Sequence, residues 1–199
     1  MIKTIFFDIG GVLLDIHPDR TIKQLSALTG LTENEIVDSF PEDTHHKYER
    51  GEISNSEFYN EVINCLPLTV ILTEEQFWKA WGMLVGDETE AVNIMNNLTQ
   101  EYPVWLLSNT NPYHILTEER FKLFDKVTGG IYSFEVGYRK PEKDIYLRAL
   151  EIAGTTASES LFIDDLIENV KMARALNINA IHFISPENLK EQLEIFLAI

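Results

Sequence analysis

Residues 2–11 of this 199-residue chain read IKTIFFDIGG, an apolar run that ends at an aspartate and is followed by two glycines. A short apolar run rich in β-forming residues and closed by turn residues is typical of a strand buried on both faces. Such strands belong to parallel sheets that helices cover on both sides. An acid at the end of a buried strand costs stability unless it is paired or used, so Asp8 is the first candidate functional residue.

Outside residues 16–87, the chain alternates between strand patterns and helix patterns. Apolar runs that end in polar residues predict strands, and the segments between them have helical periodicity. This alternation predicts an α/β fold with a Rossmann-like, doubly wound parallel sheet. Beyond the first strand, we predict strands near residues 103–109, 130–134, 161–163 and 180–184, and helices at 89–99, 142–153, 167–176 and from 186 onward.

Residues 16–87 differ from the flanking sequence because they contain helix start signals and no convincing strand. Three capping boxes place a Glu or Gln three residues after a hydroxyl residue, which satisfies two backbone amides at a helix start. The boxes are Thr32 with Glu35, Ser54 with Glu57, and Thr73 with Gln76. We therefore expect a discontinuous α/β core domain, formed by residues 1–15 and 88–199, and a small all-helical insertion at 16–87, which we call the cap.

The acidic composition narrows the class of partner. The chain has 16 Lys and Arg residues against 32 Asp and Glu residues, a formal net charge of −16 at pH 7. That much negative charge repels a phosphate backbone and an anionic membrane surface, so we expect no nucleic-acid partner and no membrane partner. Composition leaves open whether the chain is a monomer or a homodimer.

The single cysteine and the N-terminal sequence indicate in which cellular compartment the protein is located. Cys65 cannot form an internal disulfide, which favours a reducing compartment, and we expect it to be an ordinary buried thiol. The first apolar run is too short for a signal peptide, and no later run approaches membrane-spanning length. We therefore expect a cytoplasmic enzyme or binding protein.

Polar residues collect where the predicted strands end. Asp8 follows the first strand, Ser108 and Asn109 close the second, and Asp164 and Asp165 follow a later one. Ligands bind at the carboxyl ends of the strands in such sheets. Three carboxylates there repel one another unless a cation lies between them, and hard oxygen ligands suit Mg²⁺. Taken singly, the same residues also have structural explanations as a turn cap, a strand end and a helix start.

Lys140 lies immediately before Pro141, just ahead of a predicted helix. A lysine fixed at that place could neutralise both an aspartate nucleophile and a transferring phosphoryl group. Considered alone, it is more simply explained as a solvated loop lysine, because lysines are mostly exposed.

Together these residues follow the order of four motifs of a known superfamily. The chain resembles the haloacid dehalogenase-like (HAD) hydrolases over its whole length, in the group with a small helical cap inserted after the first motif. Within that group it is most similar to bacterial α-glucose-1-phosphate phosphatase-like sugar phosphatases, which share a cap segment like residues 49–54 and a run like Leu-Ser-Asn-Thr-Asn at 107–111. The motif residues are Asp8, Ser108, Lys140, Asp164 and Asp165.

The resemblance implies a Mg²⁺-dependent phosphatase, a phosphomonoester hydrolase of a small phosphorylated metabolite that we expect to be a sugar phosphate. Asp8 would be the nucleophile and would form an aspartyl-phosphate that water then hydrolyses. Lys140 would supply compensating positive charge, and Ser108 with the Asn109 amide would orient the phosphoryl oxygens. The implied Mg²⁺ ligands are Asp8, the carbonyl of Gly10, Asp165, and Asp164 directly or through water.

Gly10 departs from the pattern of the resembled family, since most of its phosphatases carry a second aspartate there as general acid and base. Proton delivery to a leaving group is commonly worth about 10²–10⁴ in rate. Three explanations compete: an acid from the cap, a good leaving group such as an anomeric phosphate, or loss of phosphatase activity. We favour the first two. The cap candidates for acid or substrate contact are His46, Glu49 and Arg50.

Two other functions stay open. A metal-independent 2-haloacid dehalogenase shares the fold, the Asp nucleophile and the Ser and Lys positions, and it too lacks the second aspartate. In that case Asp164 and Asp165 would have no role. A non-catalytic phosphometabolite-binding protein is the other alternative, but a pure binder has no need of Asp8.

Overall fold

The computed structural model describes residues 1–115 and 125–197 and contains a five-stranded sheet. The strands within these residues are β1 (Thr4–Phe7), β2 (Leu14–Ile16), β3 (Val85–Glu88), β4 (Val104–Ser108), β5 (Gly129–Tyr132), β6 (Ser160–Asp164) and β7 (Asn179–His182). Five of them pair in parallel in the order β5-β4-β1-β6-β7, so β1 lies at the centre of the sheet. The short strands β2 and β3 form a separate antiparallel pair.

The described residues contain eleven α-helices, of which five lie between β2 and β3. These five are α1 (Pro18–Thr29), α2 (Glu33–Asp38), α3 (Glu42–Glu49), α4 (Asn55–Cys65) and α5 (Glu74–Trp81). The others are α6 (Ala91–Leu98), α7 (Pro112–Ile115), α8 (Ser133–Val136), α9 (Lys143–Ala153), α10 (Ile167–Ala175) and α11 (Pro186–Leu197).

Alternating side chains of the central strand β1 contribute to two apolar cores. Phe7 belongs to a buried cluster that contains Ala91 of α6 and Leu189 of α11. Phe6 belongs to a second cluster, with Ile145 of α9 and Val170 of α10. Because successive side chains of a strand point to opposite faces, the sheet is covered by helices on both sides. The prediction of a doubly wound α/β fold is confirmed.

The helices between β2 and β3 share an apolar core of their own. The rings of Tyr48 and Phe58 stack with centroids 4.4 Å apart, and those of Phe77 and Trp81 stack at 5.8 Å. All three predicted capping boxes form, at the starts of α2, α4 and α5. The inserted helical cap is therefore confirmed as part of the fold, while its boundaries at 16 and 87 stay a prediction.

Two local features differ from the sequence prediction. The pairing of β2 with β3 was not expected, because strands of three and four residues carry too little apolar alternation to be recognised. Cys65 is exposed, so the expectation of a buried thiol is wrong. It is the last residue of α4, whose buried side chains, Val62 and Phe58, lie about one and two turns earlier.

The longest helices in the described part of the chain, α1 and α11, have 12 residues each. No helix within residues 1–115 and 125–197 is long and apolar enough to cross a membrane. The predicted cytoplasmic location and the expected absence of a nucleic-acid partner stay predictions.

Candidate active site

Three adjacent strands bring the predicted site residues to one edge of the sheet. β4, β1 and β6 are neighbours and run parallel, so their carboxyl ends lie together. Asp8 directly follows β1, Ser108 is the last residue of β4, and Asp164 is the last residue of β6. Lys140 reaches the same place from the loop before α9.

A cluster of three carboxylates lies at this edge. Asp8, Asp164 and Asp165 each offer an oxygen, and these oxygens all lie within 4.8 Å of one another. Asp8 and Asp164 are buried, whereas Asp165 is partly accessible. Burial raises the pKa of Asp8 to about 7, with the charge of Asp164 adding to the effect and the Lys140 ammonium opposing it. Burial and the charge of Asp164 also raise the pKa of Asp165.

Lys140 is buried among these acids, which excludes a solvated loop lysine. Its Nζ lies 2.8 Å from Asp8 Oδ1, and it donates hydrogen bonds to Asp164 Oδ2 at 2.6 Å and to the Leu107 carbonyl at 2.9 Å. Burial by itself lowers the pKa of the ammonium, but the two carboxylates outweigh burial and raise the pKa. One fixed positive charge therefore faces three carboxylates.

Asn109 holds the backbone of Lys140 in place. The Lys140 amide donates to Asn109 Oδ1 at 2.7 Å, and Asn109 Nδ2 donates back to the Lys140 carbonyl at 2.9 Å. The peptide bond between Lys140 and Pro141 is cis. The Asn109 side chain is thus a positioning group for Lys140, a role that the sequence analysis did not anticipate because the two residues are 31 positions apart.

The two acids after β6 have different surroundings. Asp164 accepts hydrogen bonds from the Leu166 amide at 2.8 Å and from Asn169 Nδ2 at 2.9 Å, besides that from Lys140. Asp165 instead lies against Gly11, where a Cβ would come within 2.2 Å of Asp165 Oδ2. Gly11 also has a φ of +76°, which favours glycine. Glycine at this position therefore allows the Asp165 carboxylate to join the cluster.

A cavity of about 100 Å³ is lined by residues of both the core and the cap. On the core side it is lined by Gly10, Ser108 and Asn109, and on the cap side by His45 and Glu49 of α3. Glu49, a predicted cap candidate, is therefore brought to the site. His45 was not among the predicted cap candidates, although it lies one helical turn before Glu49, at the i,i+4 spacing that puts two side chains on one helix face.

The other two cap candidates have different positions. His46 lines a second cavity, and its Nε2 lies 3.8 Å from a carboxylate oxygen of Glu42. Arg50 forms an ion pair with Glu142, in the loop before α9. The structure thus brings neither side chain into the lining of the smaller cavity.

His45 and Glu49 form a polar group on the cap side of the smaller cavity. His45 Nε2 lies 3.9 Å from Glu49 Oε1, and Glu49 Oε2 accepts a hydrogen bond from Arg139 Nε at 2.9 Å. Burial lowers the pKa of the His45 imidazole, which favours the neutral ring. The cavity therefore combines the strand-end residues Ser108 and Asn109 on its core side with an imidazole and a carboxylate on its cap side.

Comparison with known proteins agrees with this architecture. The family model of haloacid dehalogenase-like hydrolases matches residues 2–177. The chain belongs to the haloacid dehalogenase-like hydrolase family and is a hydrolytic enzyme. The resemblance inferred from its four motifs is confirmed.

Two relatives that span nearly the whole chain are phosphatases. The D-ribitol-5-phosphate phosphatase of Bacteroides thetaiotaomicron is 27% identical over 197 residues, covering 94% of this chain and 93% of that protein. A sesquiterpene phosphatase of Aspergillus oryzae is 28% identical over 189 residues, covering 90% of this chain and 89% of that protein.

Solved structures show the same fold. A HAD family enzyme of B. thetaiotaomicron, in complex with magnesium and inorganic phosphate, has a TM-score of 0.82 at 26% identity, covering 96% of this chain and 99% of that chain. A HAD-like hydrolase of Porphyromonas gingivalis has a TM-score of 0.83 at 28% identity, covering 100% and 99%. A dehalogenase at 14% identity, with a TM-score of 0.67, shares the fold alone.

Proposed function

We propose that the protein is a Mg²⁺-dependent phosphatase that hydrolyses a phosphomonoester of a small metabolite through an aspartyl-phosphate intermediate. The arrangement that carries this proposal is the buried Lys140 ammonium, 2.8 Å from Asp8 and 2.6 Å from Asp164, at the sheet edge where Ser108 also ends its strand. A strand-end carboxylate held beside a fixed positive charge is suited to attack an anionic phosphorus centre. The similarity to two phosphatases supports the same conclusion.

The reaction would proceed in two displacements at phosphorus. A carboxylate oxygen of Asp8 forms a bond to phosphorus while the ester P–O bond breaks, and the alcohol oxygen leaves with the electron pair and takes up a proton. Water then cleaves the aspartyl-phosphate, which releases inorganic phosphate and restores Asp8. Throughout, Lys140 would offset negative charge, while the Ser108 hydroxyl and the Asn109 amide would orient the phosphoryl oxygens.

The acidic cluster fits a divalent cation. Three carboxylates with oxygens within 4.8 Å and one ammonium leave excess negative charge, and carboxylate oxygens are the ligands Mg²⁺ takes in proteins. The Mg²⁺ would be held by Asp8, the Gly10 carbonyl, Asp165, and Asp164 directly or through water. When bound, it supplies positive charge that reduces repulsion between an anionic ester and an anionic nucleophile. A similar structure in complex with magnesium and phosphate supports this assignment.

Two alternatives have less support. A metal-independent 2-haloacid dehalogenase would leave the cluster of Asp164 and Asp165 without a role, and the likeness to a dehalogenase extends only to the fold. A non-catalytic phosphometabolite-binding protein would have no need of a carboxylate held beside the buried ammonium of Lys140.

The substrate is proposed only as a class. The sequence resemblance predicts a sugar phosphate, and a relative named for D-ribitol 5-phosphate supports a polyol phosphate. The relative named as a sesquiterpene phosphatase supports a more apolar alcohol.

A substrate panel with and without metal tests the proposal. The purified protein is assayed with sugar phosphates, D-ribitol 5-phosphate, p-nitrophenyl phosphate and 2-chloropropionate, in Mg²⁺ and in excess chelator. We expect phosphate release that needs Mg²⁺, and no chloride release. Full activity in chelator, or release of chloride, would overturn the proposal in favour of the dehalogenase.

A further inference from the structure

The cap contains a second cavity, larger than the one that Ser108 and Asn109 line. Its volume is about 540 Å³, in the range of small-molecule pockets. Most of its lining is aliphatic or aromatic and comes from α1, α2 and the end of α5. The main apolar side chains are Ile22, Leu25, Ile36, Phe40 and Trp81.

This apolar cavity adjoins the smaller cavity that Ser108 and Asn109 line. His45 of α3 and Leu84, just before β3, line both of them. A molecule whose phosphate lies at Ser108 and Asn109 can therefore extend past His45 and Leu84 into the apolar cavity. Arg139, in the loop that carries Lys140, also lines the apolar cavity.

Two of the polar side chains that line the apolar cavity are hydrogen-bonded to protein groups outside its lining. The Thr21 hydroxyl donates to the Ala80 carbonyl at 3.1 Å, and Arg139 Nε donates to Glu49 at 2.9 Å. A sugar buries several hydroxyls and needs a partner for each, because an unpaired buried polar group costs free energy. A lining that is mostly apolar provides few such partners.

We propose that the apolar cavity binds the alcohol part of the phosphomonoester substrate, and that this part is largely hydrocarbon rather than a polyhydroxylated sugar. The inference rests on the proposed phosphatase function and narrows its substrate class. The connection through His45 and Leu84 and the apolar lining carry it together.

A homologous substrate series tests this inference. The purified protein in Mg²⁺ is assayed with n-alkyl phosphates from ethyl to octyl, with D-ribitol 5-phosphate and glucose 1-phosphate for comparison, and kcat/KM is measured. Burying one methylene changes affinity by at most about fourfold. We expect kcat/KM to rise about two- to fourfold per methylene until the cavity is full, mainly through KM, and octyl phosphate to exceed both polyhydroxylated esters.

A matched pair of variants tests whether the rise of kcat/KM with alkyl chain length comes from binding in the apolar cavity. Val37 lines the apolar cavity yet is 53% exposed, so Val37→Glu places a charge at the cavity without disturbing the buried core. Ile71→Glu makes the same kind of change at another exposed aliphatic residue of the cap, outside the lining of either cavity. We expect Val37→Glu to lower the octyl-to-ethyl ratio of kcat/KM at least tenfold, and Ile71→Glu to leave it unchanged.

The outcomes separate this inference from the proposed function. Turnover of the esters with a kcat/KM that is flat or falling along the alkyl series overturns the inference and leaves the phosphatase intact. If both variants abolish the chain-length dependence, or if neither does, the assignment of the apolar cavity as the binding site of the alcohol part is overturned. No phosphate release from any ester, p-nitrophenyl phosphate included, overturns both proposals.

Discussion

Glu49, the last residue of α3, accepts a hydrogen bond from Arg139 at 2.9 Å and thereby links the cap to the residue before Lys140. The next residue along, Arg50, pairs with Glu142 two positions after Lys140. Two ion pairs thus fasten the end of one cap helix to the loop that carries the buried ammonium. The position of the cap and the position of the central charge of the site are coupled through these four side chains.

Asp8→Asn should leave a folded and inactive protein. Asparagine keeps the volume and can still accept a hydrogen bond from Lys140, but it is no nucleophile. Because burial raises the pKa of Asp8, its charge costs stability in the folded protein, and we expect the free energy of unfolding to stay within about 1 kcal/mol. Phosphate release should fall at least about 10³-fold. Activity within tenfold of the unsubstituted protein would contradict the aspartyl-phosphate mechanism.

The two acids after β6 should respond differently to removal. Asp164 is fully buried and bonded to Lys140 and Asn169, so Asp164→Ala should lower the free energy of unfolding by about 3 kcal/mol. Asp165 is partly accessible, so Asp165→Ala should leave stability nearly unchanged and raise the Mg²⁺ concentration for half-maximal activity at least tenfold. Chemical unfolding and Mg²⁺ titration check both. Equal Mg²⁺ dependence in Asp165→Ala and the unsubstituted protein would remove this residue from the metal site.

Gly11→Ala tests whether the absence of a side chain at position 11 makes room for the Asp165 carboxylate, a proposed metal ligand. The new Cβ would lie 2.2 Å from Asp165 Oδ2, so the carboxylate must move. Gly30→Ala is the control, since Gly30 has a similar φ of +75° with nothing within 4 Å of the Cβ position. Both variants should lose about 1–2 kcal/mol of stability from backbone strain. Only Gly11→Ala should weaken Mg²⁺ activation; the same weakening in both would trace the effect to strain alone.

The fold was predictable because its evidence is local. The run ending at Asp8 and the apolar runs before Ser108 and Asp164 carry the strand pattern within a few residues. We could predict that these residues meet at one edge of the sheet, because the carboxyl ends of parallel strands lie together.

The features that could not be predicted from the sequence depend on contacts between residues far apart in the chain and on which face of a helix packs against the core. Lys140 is buried by Asp8 and Asp164, which are 132 and 24 positions away, so its local sequence resembles that of any loop lysine. His45 and His46 are adjacent, and only the packing of α3 against the core decides that His45 lines the smaller cavity.

Gly10 cannot supply the acid that protonates the leaving oxygen. Glu49 lines the cavity beside Gly10, and Glu49→Gln removes its acidity while keeping its shape. If Glu49 protonates the leaving oxygen, this variant should slow alkyl and sugar phosphates about 10²-fold, because alkoxides need a proton to leave. It should slow p-nitrophenyl phosphate much less, because that phenolate leaves unaided. Glu52→Gln, at an exposed glutamate three residues on, is the control and should change neither rate. Equal losses on both substrates would instead mean that Glu49 acts only through its link to Arg139.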